Sequence, residues 1–225
     1  MTAFSGFPAE ALDFLADLSL NNHKPWFDEH RAEFDNFCMG PSRAFVDAFG
    51  ALIHHHRPDV VADPRTDRSI FRLHRDVRFS KDKSPFKTHL GFYFWEGPSK
   101  DSPGFYVQIN PDRLFAGVGC YMFNRDQLRN YRSNAAAPAS GKTLRRAVDQ
   151  LAGSELRVMG AHYKRPPAGV AADHMNADLL LHNGLWLSLP ESALPDSIHS
   201  ADFAADVFER LVAGIPVHTW LVEHL

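Results

Sequence analysis

Cysteine is scarce. Only Cys38 and Cys120 occur in 225 residues, far apart and in no metal-ligand spacing, so neither a disulfide framework nor a cysteine-based zinc site is indicated. That usage fits a reducing cytoplasm, and a cytoplasmic location is the expectation. Long apolar runs are missing too. No segment approaches the roughly 18 consecutive apolar residues of a membrane span, so no membrane partner is expected. The first residues, MTAFSGFPAEALDFLADLSL, place Glu10, Asp13 and Asp17 where a secretory signal needs a basic start and an unbroken apolar stretch, and the chain is expected not to be exported. A basic balance is also lacking. The net charge of −3 is the wrong sign for a protein that binds nucleic acid with its whole surface. Repeats and linker-like stretches are absent, and one domain over 1–225 is expected.

What is present is an aromatic-rich chain, with 44 % hydrophobic residues and 18 Phe, which implies a Phe-lined core. Residues 1–57 read as helical. Ala11, Phe14, Leu15 and Leu18 keep a helical spacing from Pro8 to Leu20, and NNHKPWF breaks and restarts the helix, with Pro25 in the first turn. Pro41 is expected to stop or kink this second helix, and a third from Ser42 aligns Phe45, Phe49, Leu52 and Ile53. Over 68–123 the period changes to two, giving antiparallel strands in FRLHRDVRF, HLGFYFWEG, GFYVQI and LFAGVGCYM. Helices return over 124–165, and 166–225 holds one or two late strands and a C-terminal helix. The order implies an α+β fold whose mainly antiparallel sheet packs against N-terminal and C-terminal helices.

Charge is unevenly spread. Arg65–Lys87 holds eight basic and three acidic residues, a local +5 that leaves −8 to the rest of the chain. On a strand from Phe71 to Phe79, Arg72, His74, Asp76 and Arg78 project from one face, about 6.6 Å apart. Arg75 points with the apolar set, where a buried guanidinium needs a carboxylate or a ligand. Ser80, Lys81, Lys83 and Lys87 follow in SKDKSPFK and, with Arg72 and Arg78, can converge on phosphate or carboxylate oxygens. The same pattern also suits an edge strand blunted by charge. For acid–base chemistry Asp76 and His174 are the candidates. Trp26 and Phe27, beside Asn21, Asn22 and Arg31, form either a stacking wall or part of the core.

Other motifs carry less. Consecutive His54, His55 and His56 point about 100° apart on a helix and cannot share one ion. A mixed set of His74, Asp76, His89, Asp173 and His174 lacks any two-ligand motif, so no metal is expected. SGKT lacks the first glycine of a phosphate loop, GVG lacks the third of a dinucleotide fingerprint, and no G-x-S-x-G elbow occurs, so no cofactor is expected.

NNHKPWFDEHR, then FRLHRDVRFSKDKSPFKTHLG, then PGFY, GVG and PPAGVAADH, in that order, strongly resemble the family defined by the domain of unknown function numbered 2461. The resemblance covers almost the whole chain. Its hallmark positions match at Asn21, Asn22, Trp26, Phe27 and Arg31. They match again through the RxxRDxRFSKDKxPxK motif from Arg72 to Lys87, and at Pro103, Gly104, Gly169, Asp173 and His174. Departures are Phe86, where the family usually has Tyr, and Leu181 and Asn183, where basic residues are expected. The resemblance brings no activity with it, but it implies that the polar run is a family-wide pattern, which favours an anion site over a solvated edge. The reading is therefore a cationic pocket for a small phosphorylated or carboxylated molecule, with catalysis left open. A nucleic-acid module is the disfavoured alternative, since Pro166–Leu225 carries eight acidic residues against Arg210 alone. An internal ion-pair network serving a partner interface is the other. Oligomeric state is left open.

Overall fold

The structure, a computed structural model, describes residues 3–225. Helix α1, Ala9–Leu20, buries the expected stripe of Ala11, Phe14, Leu15 and Leu18. Helix α2, Lys24–Glu29, carries Pro25 in its first turn as expected, and His23 caps it by accepting the Trp26 N–H. Pro41 does not stop the next helix. Helix α3, Arg31–Glu33, passes through a wide π-helical turn, Phe34–Met39, into α4, Gly40–His54. In that turn Gly40 N–H donates to the Asp35 carbonyl five residues back, and the missing Pro41 N–H is absorbed where the ladder is already changing register.

Six strands follow: β1 Leu90–Trp95, β2 Gly104–Ile109, β3 Arg113–Cys120, β4 Arg157–Ala161, β5 His182–Ser188 and β6 Ser192–Ala193. Helices α5, Arg125–Ala136, and α6, Pro138–Asp149, lie between β3 and β4, and α7, Phe203–Leu211, and α8, Ile215–His224, end the chain. The sheet order is β1-β2-β3-β5-β4 with β6 also paired to β3, and β3–β5, β4–β5 and β3–β6 are antiparallel. The α+β class with N-terminal and C-terminal helices is therefore as expected. Strand β4 escaped the sequence reading because it is short, half-exposed and interrupted by Gly160. The single closing helix is in fact two, with Pro216 opening α8.

Two compact units partition the chain. The first holds the described residues up to Phe94, with Tyr106–Phe115 and Glu191–Phe208; the second holds Trp95–Phe105, Ala116–Pro190 and Glu209–Leu225. The core of the first is the expected Phe cluster. Phe45 of α4 meets Phe92 of β1 at 4.8 Å between ring centroids and Phe203 of α7 at 5.7 Å, tilted contacts that add to area burial. In the second, Tyr131 and Trp220 cross at 90°, and each spends its polar atom on a carbonyl, Tyr131 on Leu179 at 2.8 Å and Trp220 on Ser140 at 2.9 Å. Gly214 is required there, because a Cβ would lie 2.3 Å from Val118 Cγ1.

Alternation along the strands of the first unit makes two unlike faces. Phe92, Phe94, Val107, Ile109 and Leu114 are buried, whereas Tyr93, Tyr106, Gln108 and Phe115 on the other face are half-exposed.

Candidate anion-binding site

The basic run does not form the expected strand. Residues 71–91 fold back as an irregular ribbon: Phe71 N–H donates to Gly91 O at 2.9 Å, Lys87 N–H to Leu73 O at 2.8 Å and Arg75 N–H to Pro85 O at 2.8 Å. One isolated antiparallel bridge, His74 with Phe86, lies between them. Beyond it the aspartates take over the backbone donors. Asp76 Oδ1 accepts the Arg78 N–H at 3.2 Å, and Asp82 Oδ1 accepts the Ser84 N–H at 2.9 Å. These turns onto the residue two positions on compete with ladder bonds and leave 76–84 as a loop.

The expected alternation survives in side-chain exposure. Arg72, His74, Asp76 and Arg78 are exposed while Leu73 is buried and Arg75 half-buried. Arg75, whose side chain is 28 % exposed, has the carboxylate partner its position demanded: it pairs with Asp82 and also donates to Ser84 O at 3.2 Å. Arg78 forks onto Asp76, with Nε–Oδ1 at 2.9 Å and Nη2–Oδ2 at 2.7 Å. The Ser84 hydroxyl and N–H and the Arg75 guanidinium hold the Asp82 carboxyl well below the usual carboxylate range, and the Arg78 guanidinium does the same for Asp76. Lys83 Nζ donates to Val77 O at 2.9 Å, tying the loop's two arms. Upstream, Asp63 likewise gathers Arg65 and Arg68.

At the tip Phe79 is 95 % exposed, with the Arg78 guanidinium 5.8 Å from its ring centroid. Lys81 is exposed beside it, and Ser80, half-buried, donates its N–H to Val77 O at 3.3 Å.

The NN turn meets this ribbon through Asn22. Its side-chain amide donates to Phe86 O and accepts from Phe86 N–H, both at 3.0 Å. Phe27 of α2 packs on Phe86 at 4.5 Å, so that aromatic belongs to the core. Asn21 caps α1 by donating to Asp17 O. Trp26 stacks on His30 at 4.1 Å, and Arg31 lies 5.9 Å from the Phe27 centroid and pairs with Asp35 at 3.6 Å. These last three are therefore engaged within the N-terminal helices.

The two candidate acid–base residues differ in setting. Asp76 is exposed and clamped by Arg78, which makes it a weak base. His174, in the second unit, accepts the Asn176 N–H at Nδ1 and bonds Ala136 O through Nε2 at 3.2 Å, so both ring nitrogens are committed to backbone. Among the described residues no group of three or more His, Cys, Asp or Glu side chains is arranged to hold a metal ion. No helix among them is long and apolar enough to cross a membrane. A cavity of about 600 Å³ lies against α4, lined by residues including Phe4, Asp47 and His54; the run stands outside it, on an exposed ribbon.

At the ribbon's base Lys87 and Phe71 approach Tyr106 of β2, which shares a face with Gln108 and Asn110, three residues that the sequence did not single out as site candidates. Lys87 Nζ lies 5.0 Å from the Phe71 ring centroid, and Phe71 meets Tyr106 of β2 at 6.0 Å. His89 is held neutral, its pKa pushed down to about 4 by burial and by the Lys87 charge. Burial pushes the Tyr106 phenol up to about 12. Tyr106 O–H donates to Gln108 Oε1 at 2.7 Å, and Gln108 Nε2 to Asn110 Oδ1 at 3.0 Å. The signal was the alternation in GFYVQIN, where Tyr106, Gln108 and Asn110 share the face opposite Phe105, Val107 and Ile109.

No curated protein and no solved structure matches the chain. A family model does, over residues 10–220, and its description is conserved hypothetical protein (DUF2461). With nearly the whole chain matched, the protein belongs to the DUF2461 family.

Proposed function

We propose that this protein binds a small phosphorylated or carboxylated molecule through the cations of the 71–91 ribbon. The observation that carries the reading is the division of charge within the run. Six cations, Arg72, Arg75, Arg78, Lys81, Lys83 and Lys87, face two carboxylates, and both carboxylates are spent on Arg75 and Arg78 to fix the loop. Arg72, Lys81 and Lys83 therefore give a shaped loop a surplus of positive charge, which suits anionic oxygens. Binding alone accounts for these residues, and no catalytic step is assigned.

A second reading is favoured by the Arg75–Asp82–Ser84 arrangement, which by itself gives the motif an architectural role. A thermal-shift screen with inorganic phosphate, citrate and nucleotides separates the two. Stabilisation that is weakened in the Arg72→Ala/Lys87→Ala and Lys81→Ala/Lys83→Ala double variants supports binding. No shift with any anion, in a folded protein, leaves architecture alone.

A further inference from the structure

Resting on that anion-binding reading, we infer that the ligand carries a planar ring that lies on the half-exposed sheet face of the first unit, beside Lys87. The ligand class is a mononucleotide.

The face is built from aromatic residues at positions where a solvated sheet face ordinarily carries polar ones. Phe71, Tyr106 and Phe115 form a row, with centroids 6.0 Å apart for the first pair and 5.9 Å for the second, and all three are half-exposed. Gly91 keeps the floor low between them. A Cβ there would approach Phe71 Cδ2 and the Tyr106 hydroxyl at 3.3 Å each.

One end of the row is cationic. Lys87 stands over Phe71, and Arg72 follows Phe71 in the chain and is exposed. The other side carries the Tyr106–Gln108–Asn110 chain, which orients its amides in sequence. Gln108 and Asn110 retain amide N–H groups that can address the polar edge of a heterocycle. A cationic end, an aromatic shelf and a few fixed amides are what a nucleotide's phosphate, base face and base edge require.

Calorimetric titration with AMP, ribose 5-phosphate and inorganic phosphate tests this. AMP is expected to bind about ten-fold or more tightly than ribose 5-phosphate, the scale of one stacked base. Tyr106→Ala and Phe115→Ala are expected to remove that advantage while keeping ribose 5-phosphate binding, and Tyr106→Phe to keep the advantage. If Tyr106→Ala fails to fold, Phe115→Ala carries the same comparison. Equal affinity for AMP and ribose 5-phosphate in the unaltered protein overturns the ring inference and leaves anion binding standing. Binding of none of the three overturns both.

Discussion

Asn22 and Phe86 exchange two hydrogen bonds, the amide of one with the backbone of the other, each 3.0 Å long and 64 residues apart in sequence. The backbone of Phe86, whose side chain is buried, is thereby satisfied by a single residue of the α1–α2 turn. Asn22→Ala leaves both groups without that partner and is expected to cost about 1–3 kcal/mol in denaturant unfolding. Asn22→Asp keeps the acceptor and loses the donor, so it should recover only part. A change within about 0.5 kcal/mol for Asn22→Ala, the size of an ordinary surface substitution, contradicts this role.

The two arginine–aspartate pairs of the loop should not weigh equally. Arg75 is half-buried and also donates to a carbonyl, whereas Arg78 and Asp76 are both exposed. Arg75→Ala is therefore expected to lower the melting temperature more than Arg78→Ala, and to speed amide hydrogen exchange over 76–84. The reverse order of melting temperatures contradicts the assignment of Arg75 as the inner anchor.

His89 makes stability depend on pH. Its pKa in the folded state is lowered from 6.5 to about 4, so between those values the unfolded chain binds a proton that the folded one does not. Stability should fall as pH drops from 6.5 towards 4 and the His89 contribution should flatten below that. His182 is lowered by burial too and adds in the same direction. His89→Gln should make the melting temperature less dependent on pH across this window; an unchanged slope contradicts the burial of a neutral His89.

Cys38 and Cys120 are buried, and desolvation pushes each thiol up to about 12. Thiolate is the reactive form. At pH 8 the native protein should react slowly with a thiol-specific disulfide reagent, and both thiols should react at once in denaturant. Fast reaction of the folded protein contradicts the burial.

The sequence made much of the fold legible where periodicity was strong. The stripes of α1 and α4, the alternation of β2 and the Phe-rich core all follow from side-chain spacing that burial enforces. It failed where a local bond outcompeted the pattern. Alternation from Phe71 to Phe79 described which side chains face water, but Asp76 and Asp82 diverted backbone N–H groups and dissolved the strand. The partner of Arg75 was foreseeable as a carboxylate, from its place on the apolar side; that it is Asp82 depended on a fold-back no periodicity encodes. Tyr106, Gln108 and Asn110 were in plain view as one strand face, yet only the meeting with Phe71 and Gly91 gives that face a neighbour in the basic run.

The central claim, that the ribbon binds anionic oxygens, is tested most directly by following backbone amides and arginine Nε–H signals by NMR during a titration with inorganic phosphate. The account predicts saturable shifts concentrated at Arg72, Lys81, Lys83 and Lys87 and their neighbours. Saturable shifts centred elsewhere, or none at all across the run, would contradict it.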